Sequence, residues 1–278
     1  MSLRPLTCLI LAGIFGLLAG CDQAPAPAAS SATASNTSVQ QSTPNEDIGQ
    51  GNGYTYHVRY PQLALEWNTL TDTLRVWAAA RKREFLDARL ADDNANSPPY
   101  NLDLEFNIAR RTSDFVSVLA NGSVDTGGAH PAALIASFNL HTSDGKLIEL
   151  ADLFADAGAA LELLSAEARR QLEGTFEAKL RDVTPEKERT AALKNMHEWI
   201  EQGTQAKAEN FAVFLVDGLE TKAIGLTLIF PPYQVASYAD GTQQIEVPAK
   251  VFYQLLKPEY RDAFQIDTEA NKIAPGVR

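Results

Sequence analysis

The sequence predicts an α+β domain in which an antiparallel sheet packs with several helices, and three observations lead there. Leu102 to Ile108 alternates apolar with polar residues, the period of a half-buried strand. Leu164, Ala168, Leu172, Phe176 and Leu180 recur every four residues, the period of a helix face. Strand-like and helix-like stretches come in blocks, which argues against the regular alternation of a parallel α/β sheet.

Taken in order, Tyr54 to Tyr60 is an alternating run rich in aromatic and β-branched residues, and it reads as a strand ended by Pro61. Leu70, Leu74, Trp77, Ala78, Arg81 and Phe85 then predict a long amphipathic helix to about Leu90, with Arg81-Lys82-Arg83 on its solvated face. Asn96-Ser97-Pro98-Pro99 breaks the chain before the strand at Leu102. Phe115 to Leu119, Leu134 to Leu140 and Lys146 to Leu150 continue as an antiparallel meander, the last two joined at Asp144-Gly145. Asp152 to Phe154 opens a helical region, and Thr184-Pro185 predicts an N-cap and a first-position proline for another helix. Leu193, Met196 and Ile200 form the apolar side of that helix, and Gly203 suits its end. Phe211 to Val216 and Ile224 to Phe230 read as strands joined through Asp217-Gly218. Gln244 to Val247 follows, leading through Pro248 into a short helix ending near Leu256. These elements form one expected domain, residues 53–264, with a tail at 265–278.

The N-terminus carries a different signal. Arg4 precedes an apolar run from Leu6 to Leu18, which is too short for a membrane span of ~20 residues and has the order of a secretory signal peptide. Leu18-Ala19-Gly20-Cys21 is similar to the lipobox of bacterial lipoproteins. That resemblance implies cleavage after Gly20 and acylation, palmitate included, of the Cys21 thiol, so residues 1–20 are expected to be removed. Asp22 resembles the signal that retains lipoproteins in the inner membrane, so a periplasm-facing inner-membrane anchor is the expected location. Asp22 to Asn52 contains only Val39 and Ile48 as large aliphatics and no aromatic residue. Residues 21–52 are therefore expected to be the lipidated cysteine and a disordered tether, with a span of roughly 30 Å for a chain of this length.

Charge narrows the function classes. The chain has 35 acidic and 24 basic side chains, a net of −11, and no long basic run, which argues against nucleic-acid binding. Removing residues 1–20 takes away Arg4 and no acid, leaving 23 basic against 35 acidic groups, or −12. With Cys8 in the removed segment and Cys21 acylated, the two cysteines cannot form a disulfide.

Catalytic and metal motifs are sparse. The four histidines, 57, 130, 141 and 197, show no metal-ligand spacing. His197-Glu198-Trp199-Ile200-Glu201 begins like a zinc-protease helix but has Glu201 in place of the second histidine. Gly122-Ser123 lacks the flanking glycines of a nucleophile elbow, and pairs such as Asp92-Asp93 or Glu186 and Glu188 read as solvated charge. No cofactor, metal or catalytic residue is expected. Thr126-Gly127-Gly128-Ala129-His130-Pro131 stands apart, since Gly127 and Gly128 permit positive φ and close approach. His130 is then placed either to pin the turn or to face a ligand.

Several of these segments resemble a known family. Thr126 to His130, Phe138-Asn139-Leu140 with Asp144-Gly145-Lys146, Leu150 to Phe154, Phe214 to Leu219 and Phe230 to Gly241 look like the RsiV-type domain of unknown function. That domain forms the ectodomain of a lysozyme-sensing anti-sigma factor and resembles the N-terminal region of the peptidoglycan deacetylase PdaC. Gln234 and Ser237 depart from its pattern, standing where glutamate and proline are common, and Val124-Asp125 replaces a frequent aromatic. Neither a sigma-binding segment nor a deacetylase domain is recognisable, so only the recognition module is expected. The resemblance implies a non-catalytic, lipid-anchored envelope protein that binds a lysozyme-like hydrolase or peptidoglycan. Its ligand-facing or loop-defining candidates are Gly127, Gly128, His130, Tyr233 and Tyr238. The competing expectations are a peptidoglycan-modifying enzyme using His130 and a structural envelope assembly protein.

Overall fold

The computed structural model describes residues 39–266 apart from 44, 65, 95 and 220. The expected signal peptide, Cys21 and the tether up to residue 38 lie outside the described residues, as does the tail from 267.

The first half of the domain is a seven-stranded sheet whose strands follow chain order. Its strands are β1 (Val39–Thr43), β2 (Glu46–Gly51), β3 (Tyr54–Arg59), β4 (Tyr100–Arg111), β5 (Phe115–Asp125), β6 (Ala132–His141) and β7 (Lys146–Ile148). All neighbours pair antiparallel except β3 and β4, which are parallel. The exception follows from the helix α1 (Asn68–Leu90) between them, which returns the chain to the end of the sheet where it began. Leu70, Leu74, Ala78 and Phe85 from α1 pack with Val58, Leu102, Leu104, Phe106 and Val118, all essentially inaccessible. Fully burying a side chain of this size contributes about 1.5–3 kcal/mol.

Ordered backbone begins before Gly53, inside the segment assigned to the tether. β2 contains Glu-Asp-Ile-Gly-Gln-Gly and lacks the apolar content that marks a strand. It is held from outside instead: its backbone pairs with β3 from Glu46↔Arg59 to Gly51↔Tyr54, Lys82 of α1 pairs with Asp47, and the ring of Tyr56 lies over Gly49. A Cβ at position 49 would come within 2.3 Å of that ring, so the strand fits because Gly49 has none.

The second half has α2 (Ala157–Lys179) and α3 (Glu186–Gly203) beside a three-stranded antiparallel sheet of order β10-β9-β8. The strands are β8 (Phe214–Leu219), β9 (Lys222–Phe230) and β10 (Gln243–Pro248), followed by the short helices α4 (Ala249–Phe252) and α5 (Pro258–Arg261). Leu164, Ala168, Leu172 and Ile200 pack against Leu226, Leu228, Phe230 and Phe252. Local boundaries differ from the sequence reading. Leu150–Leu153 is a 3-10 turn closed by Glu149 and Asp152, and α2 restarts at Asp156, whose carboxylate accepts from the Ala159 amide at 3.0 Å. Pro185 is itself the N-cap of α3, because its extended ψ of 165° precedes the first helical residue. Phe211 belongs to the 3-10 turn Ala208–Phe211, and Asp217-Gly218 is a bulge within β8 while the chain reverses after Leu219.

Side chains of the large sheet close the free edge of β8. Ser137 Oγ accepts from the Phe214 amide at 2.9 Å, and Ser117 Oγ accepts from the Val216 amide at 3.0 Å. Asn139 Nδ2 donates to Phe214 O at 3.0 Å, and its Oδ1 accepts from Ser117 Oγ at 2.5 Å. An exposed edge would invite pairing with another chain, and here buried polar groups satisfy it.

Candidate functional site

Two connecting segments meet outside the sheets, the β5–β6 loop and the loop from Pro231 to Gly241 between β9 and β10. In the first, Asp125 Oδ1 accepts from the Gly127 amide at 2.9 Å, a side-chain-closed turn. Gly127 has φ +81°, and a Cβ there would stand 2.7 Å from Pro98, so glycine is required. Gly128 is different: it is outside the positive-φ glycines, and a Cβ would meet only His130 O at 3.8 Å. Of the expected pair, one glycine is demanded by the backbone.

His130, Tyr233 and Tyr238 come together. The His130 imidazole stacks on the Tyr238 ring with centroids 3.7 Å apart and planes 16° from parallel, while Tyr233 and Tyr238 lie 5.7 Å apart. His130 Nδ1 faces Pro131 O at 3.1 Å; a carbonyl only accepts, so Nδ1 bears the proton. Nε2 then accepts from the Tyr233 hydroxyl at 2.8 Å. The Tyr238 hydroxyl donates to the same Pro131 carbonyl at 3.0 Å. No carboxylate hydrogen-bonds His130 among the described residues; the Pro131 carbonyl and the Tyr233 hydroxyl set the orientation of its ring.

Tyr233 is held in an uncommon backbone conformation. Its φ is +73°, the one positive value at a non-glycine position among the described residues, and the residue is 53% exposed. Such strain costs on the order of 1–3 kcal/mol and persists only where surroundings fix it. Here the Tyr233 amide donates to Ala236 O at 3.0 Å, and Trp199 Nε1 donates to Tyr233 O at 2.8 Å. Gln234 Nε2 donates to Gly203 O at 3.0 Å and to Asn210 O at 2.8 Å. Gly203 lies so close beneath the loop that a Cβ would be 2.0 Å from Gln234 O. At the far end Ser237 Oγ donates to Asp240 Oδ2 at 2.6 Å, and Asp240 pairs with Lys179 of α2. Lys179, then Ser237, hold the Asp240 carboxyl below its ordinary range. A cavity of about 210 Å³ lies behind the loop, walled by Phe176, Met196, Trp199 and Val235.

Trp199 and Gln234 are the anchoring residues that sequence reasoning did not single out. Trp199 is three residues after Met196 on the recognised apolar side of α3, so its place on that face was legible. Gln234 departs from the family pattern, yet both of its acceptors are carbonyls, which a glutamate could not satisfy. The other histidines are elsewhere: His57 beside Arg59 and Glu46, His141 with Asp144, and His197 3.4 Å from Glu177. No group of three or more His, Cys, Asp or Glu side chains could hold a metal ion among the described residues.

Residues 151–250, which include α2, α3, the small sheet and the loop with Tyr233, match the family described as Protein of unknown function (DUF3298). This part of the chain is similar to the DUF3298 family over those residues. Over 216 residues the chain is 26% identical to the peptidoglycan-N-acetylmuramic acid deacetylase PdaC of Bacillus subtilis (strain 168), covering 77% of this chain and 42% of that protein. The chain thus spans less than half the length of this relative. A crystal structure of a DUF3298 family protein from Pseudomonas aeruginosa PAO1 has a TM-score of 0.52 at 15% identity, covering 83% of this chain and 97% of that one. The fold is therefore shared with it. A DUF3298 structure from Bacteroides fragilis gives 0.47 at 15% identity over 81% and 94% of the two chains. His130 lies before the DUF3298 match and Tyr233 and Tyr238 lie within it, so the cluster joins the matched region to the large sheet.

Proposed function

We infer that this chain is a lipid-anchored cell-envelope protein whose domain binds peptidoglycan without modifying it, using the face formed by His130, Tyr233 and Tyr238. The observation that carries this reading is Tyr233: an exposed aromatic ring in a strained backbone conformation, fixed by Trp199 and aimed at His130. The exposed rings of Tyr233 and His130 offer apolar faces, and the tyrosine hydroxyl oxygens keep lone pairs that can accept hydrogen bonds, a combination that suits a binding surface with one wet side. Likeness to PdaC supports peptidoglycan as the ligand class. Pro131 and Tyr233 engage both His130 nitrogens, which fixes the imidazole in place as part of this face. The anchor is Cys21, with Asp22 favouring the inner membrane and the domain facing the periplasm.

Charge favours a second ligand. A mature net charge of −12, from 23 basic and 35 acidic groups after removal of residues 1–20, would speed encounter with a basic lysozyme-like hydrolase. Titration of the full-length protein against purified peptidoglycan and against hen lysozyme, at low and high salt, separates the two. Stacking on the aromatic face persists at high salt, whereas charge-driven association weakens. Binding to neither would overturn both readings. Deacetylation or hydrolysis of peptidoglycan fragments by the wild type, lost in His130→Ala, would replace them with catalysis.

A further inference from the structure

A cavity of about 410 Å³ opens where the two halves of the domain meet. One wall comes from β6, β7 and the turn after them, the other from α2 and the segment leading into β8. Its volume lies in the ~300–1,000 Å³ range of small-ligand sites, and such sites favour junctions between packed units. Phe138, Leu147, Leu161 and Phe211 give it apolar walls. Its interior polar groups are already used, Ser137 by the Phe214 amide and Asn139 by Ser117 and Phe214. A ligand therefore has apolar surface to contact in the interior and little unpaired hydrogen-bonding capacity to satisfy there.

The rim has one sign of charge. Glu149 and Glu209 both line the cavity and are exposed, and no Lys, Arg or His lines it. Glu149 also closes the turn at Leu150–Leu153, whereas Glu209 makes no hydrogen bond or ion pair among the described residues. Two carboxylates over an apolar interior repel an anion and attract a cation. We propose that this cavity is a binding site for a small amphipathic amine, a short alkyl or single-ring group with its ammonium held at the rim by Glu209 and Glu149. The site shares no lining residue with the aromatic cluster.

Ligand-observed saturation-transfer NMR and titration of the full-length protein with hexylammonium, hexanol and hexanoate test this. The three probes share a chain and differ in charge. Hexylammonium should bind roughly 1.5- to fivefold more tightly than hexanol, the range expected for exposed ion pairs, and hexanoate most weakly. Glu209→Gln should narrow the gap between hexylammonium and hexanol. Leu161→Trp should fill the cavity and abolish all three; if circular dichroism shows that it does not fold, Ala212→Trp at the exposed rim serves instead. Equal binding of hexylammonium and hexanoate, binding of none, or binding undiminished in a folded cavity-filling variant overturns the proposal.

Discussion

The His130 imidazole lies flat on the ring of Tyr238, 3.7 Å between centroids, and this stack ties the β5–β6 loop to the β9–β10 loop across more than a hundred residues of sequence. Tyr233 completes the cluster by donating its hydroxyl proton to His130 Nε2. The fold and the proposed binding surface therefore share residues, and substitutions can separate their contributions.

Tyr233→Gly should separate them most cleanly. Glycine adopts the φ of +73° without strain, so thermal stability is expected to hold or rise by up to about 1 kcal/mol while ligand binding falls. Tyr233→Phe keeps the ring and loses only the bond to His130, so binding should fall less. Paired melting and binding measurements on the two variants check this order.

Gln234→Glu should destabilise the domain. The amide that serves Gly203 O and Asn210 O would become a carboxylate facing two carbonyls, a loss on the order of 3 kcal/mol. Urea unfolding followed by Trp fluorescence reads it, and Gln234→Met, which carries no charge, should cost less.

Ser117→Ala tests the closure of the β8 edge. The buried Val216 amide loses its acceptor and Asn139 Oδ1 loses its donor, at a cost of roughly 1–3 kcal/mol. Because the β8 edge is then less well satisfied, hydrogen exchange at Val216 should accelerate relative to β9.

Acid stability should depend on Asp144. Desolvation pushes its carboxyl upward, but the Lys146 ammonium and amide together with His141 outweigh it and hold the value at about 2, below the ordinary 3.8. A depressed folded-state pKa means stability fully present above the ordinary value and lost as pH falls through about 2. Asp144→Asn should therefore flatten the acid limb of a stability-against-pH curve between roughly pH 4 and pH 2 and leave the neutral region lower than wild type.

How much of this was legible in the sequence depends on which force holds each element. β4 and the helices α1 and α2 announce themselves because each buries a regular apolar face, Leu102, Leu104 and Phe106 in one case and Leu164, Ala168 and Leu172 in another. β2 does not, since its stability comes from β3's backbone, Lys82 and the Tyr56 ring, all remote in sequence. The parallel pairing of β3 with β4 is likewise a partner choice that alternation cannot reveal. At the site, residue types flagged His130 and the family-like run flagged Tyr233 and Tyr238, but their contact spans 103 residues. The backbone strain at Tyr233 and its anchoring by Trp199 exist only in three dimensions.

The proposed membrane attachment at Cys21 has its own test. Cys21→Ser should move the protein from the membrane fraction to the soluble periplasmic fraction and abolish labelling by an alkyne-tagged fatty acid.

Co-sedimentation of the full-length protein with purified peptidoglycan sacculi, wild type beside Tyr233→Ala and His130→Ala, bears most directly on the central claim. Saturable binding by the wild type, reduced at least about tenfold in both variants with their folds intact, is the expected result, corresponding to about 1.4 kcal/mol or more of lost contact. Sacculi that bind no wild-type protein, or bind the folded variants equally well, would contradict the assignment of this aromatic face to peptidoglycan.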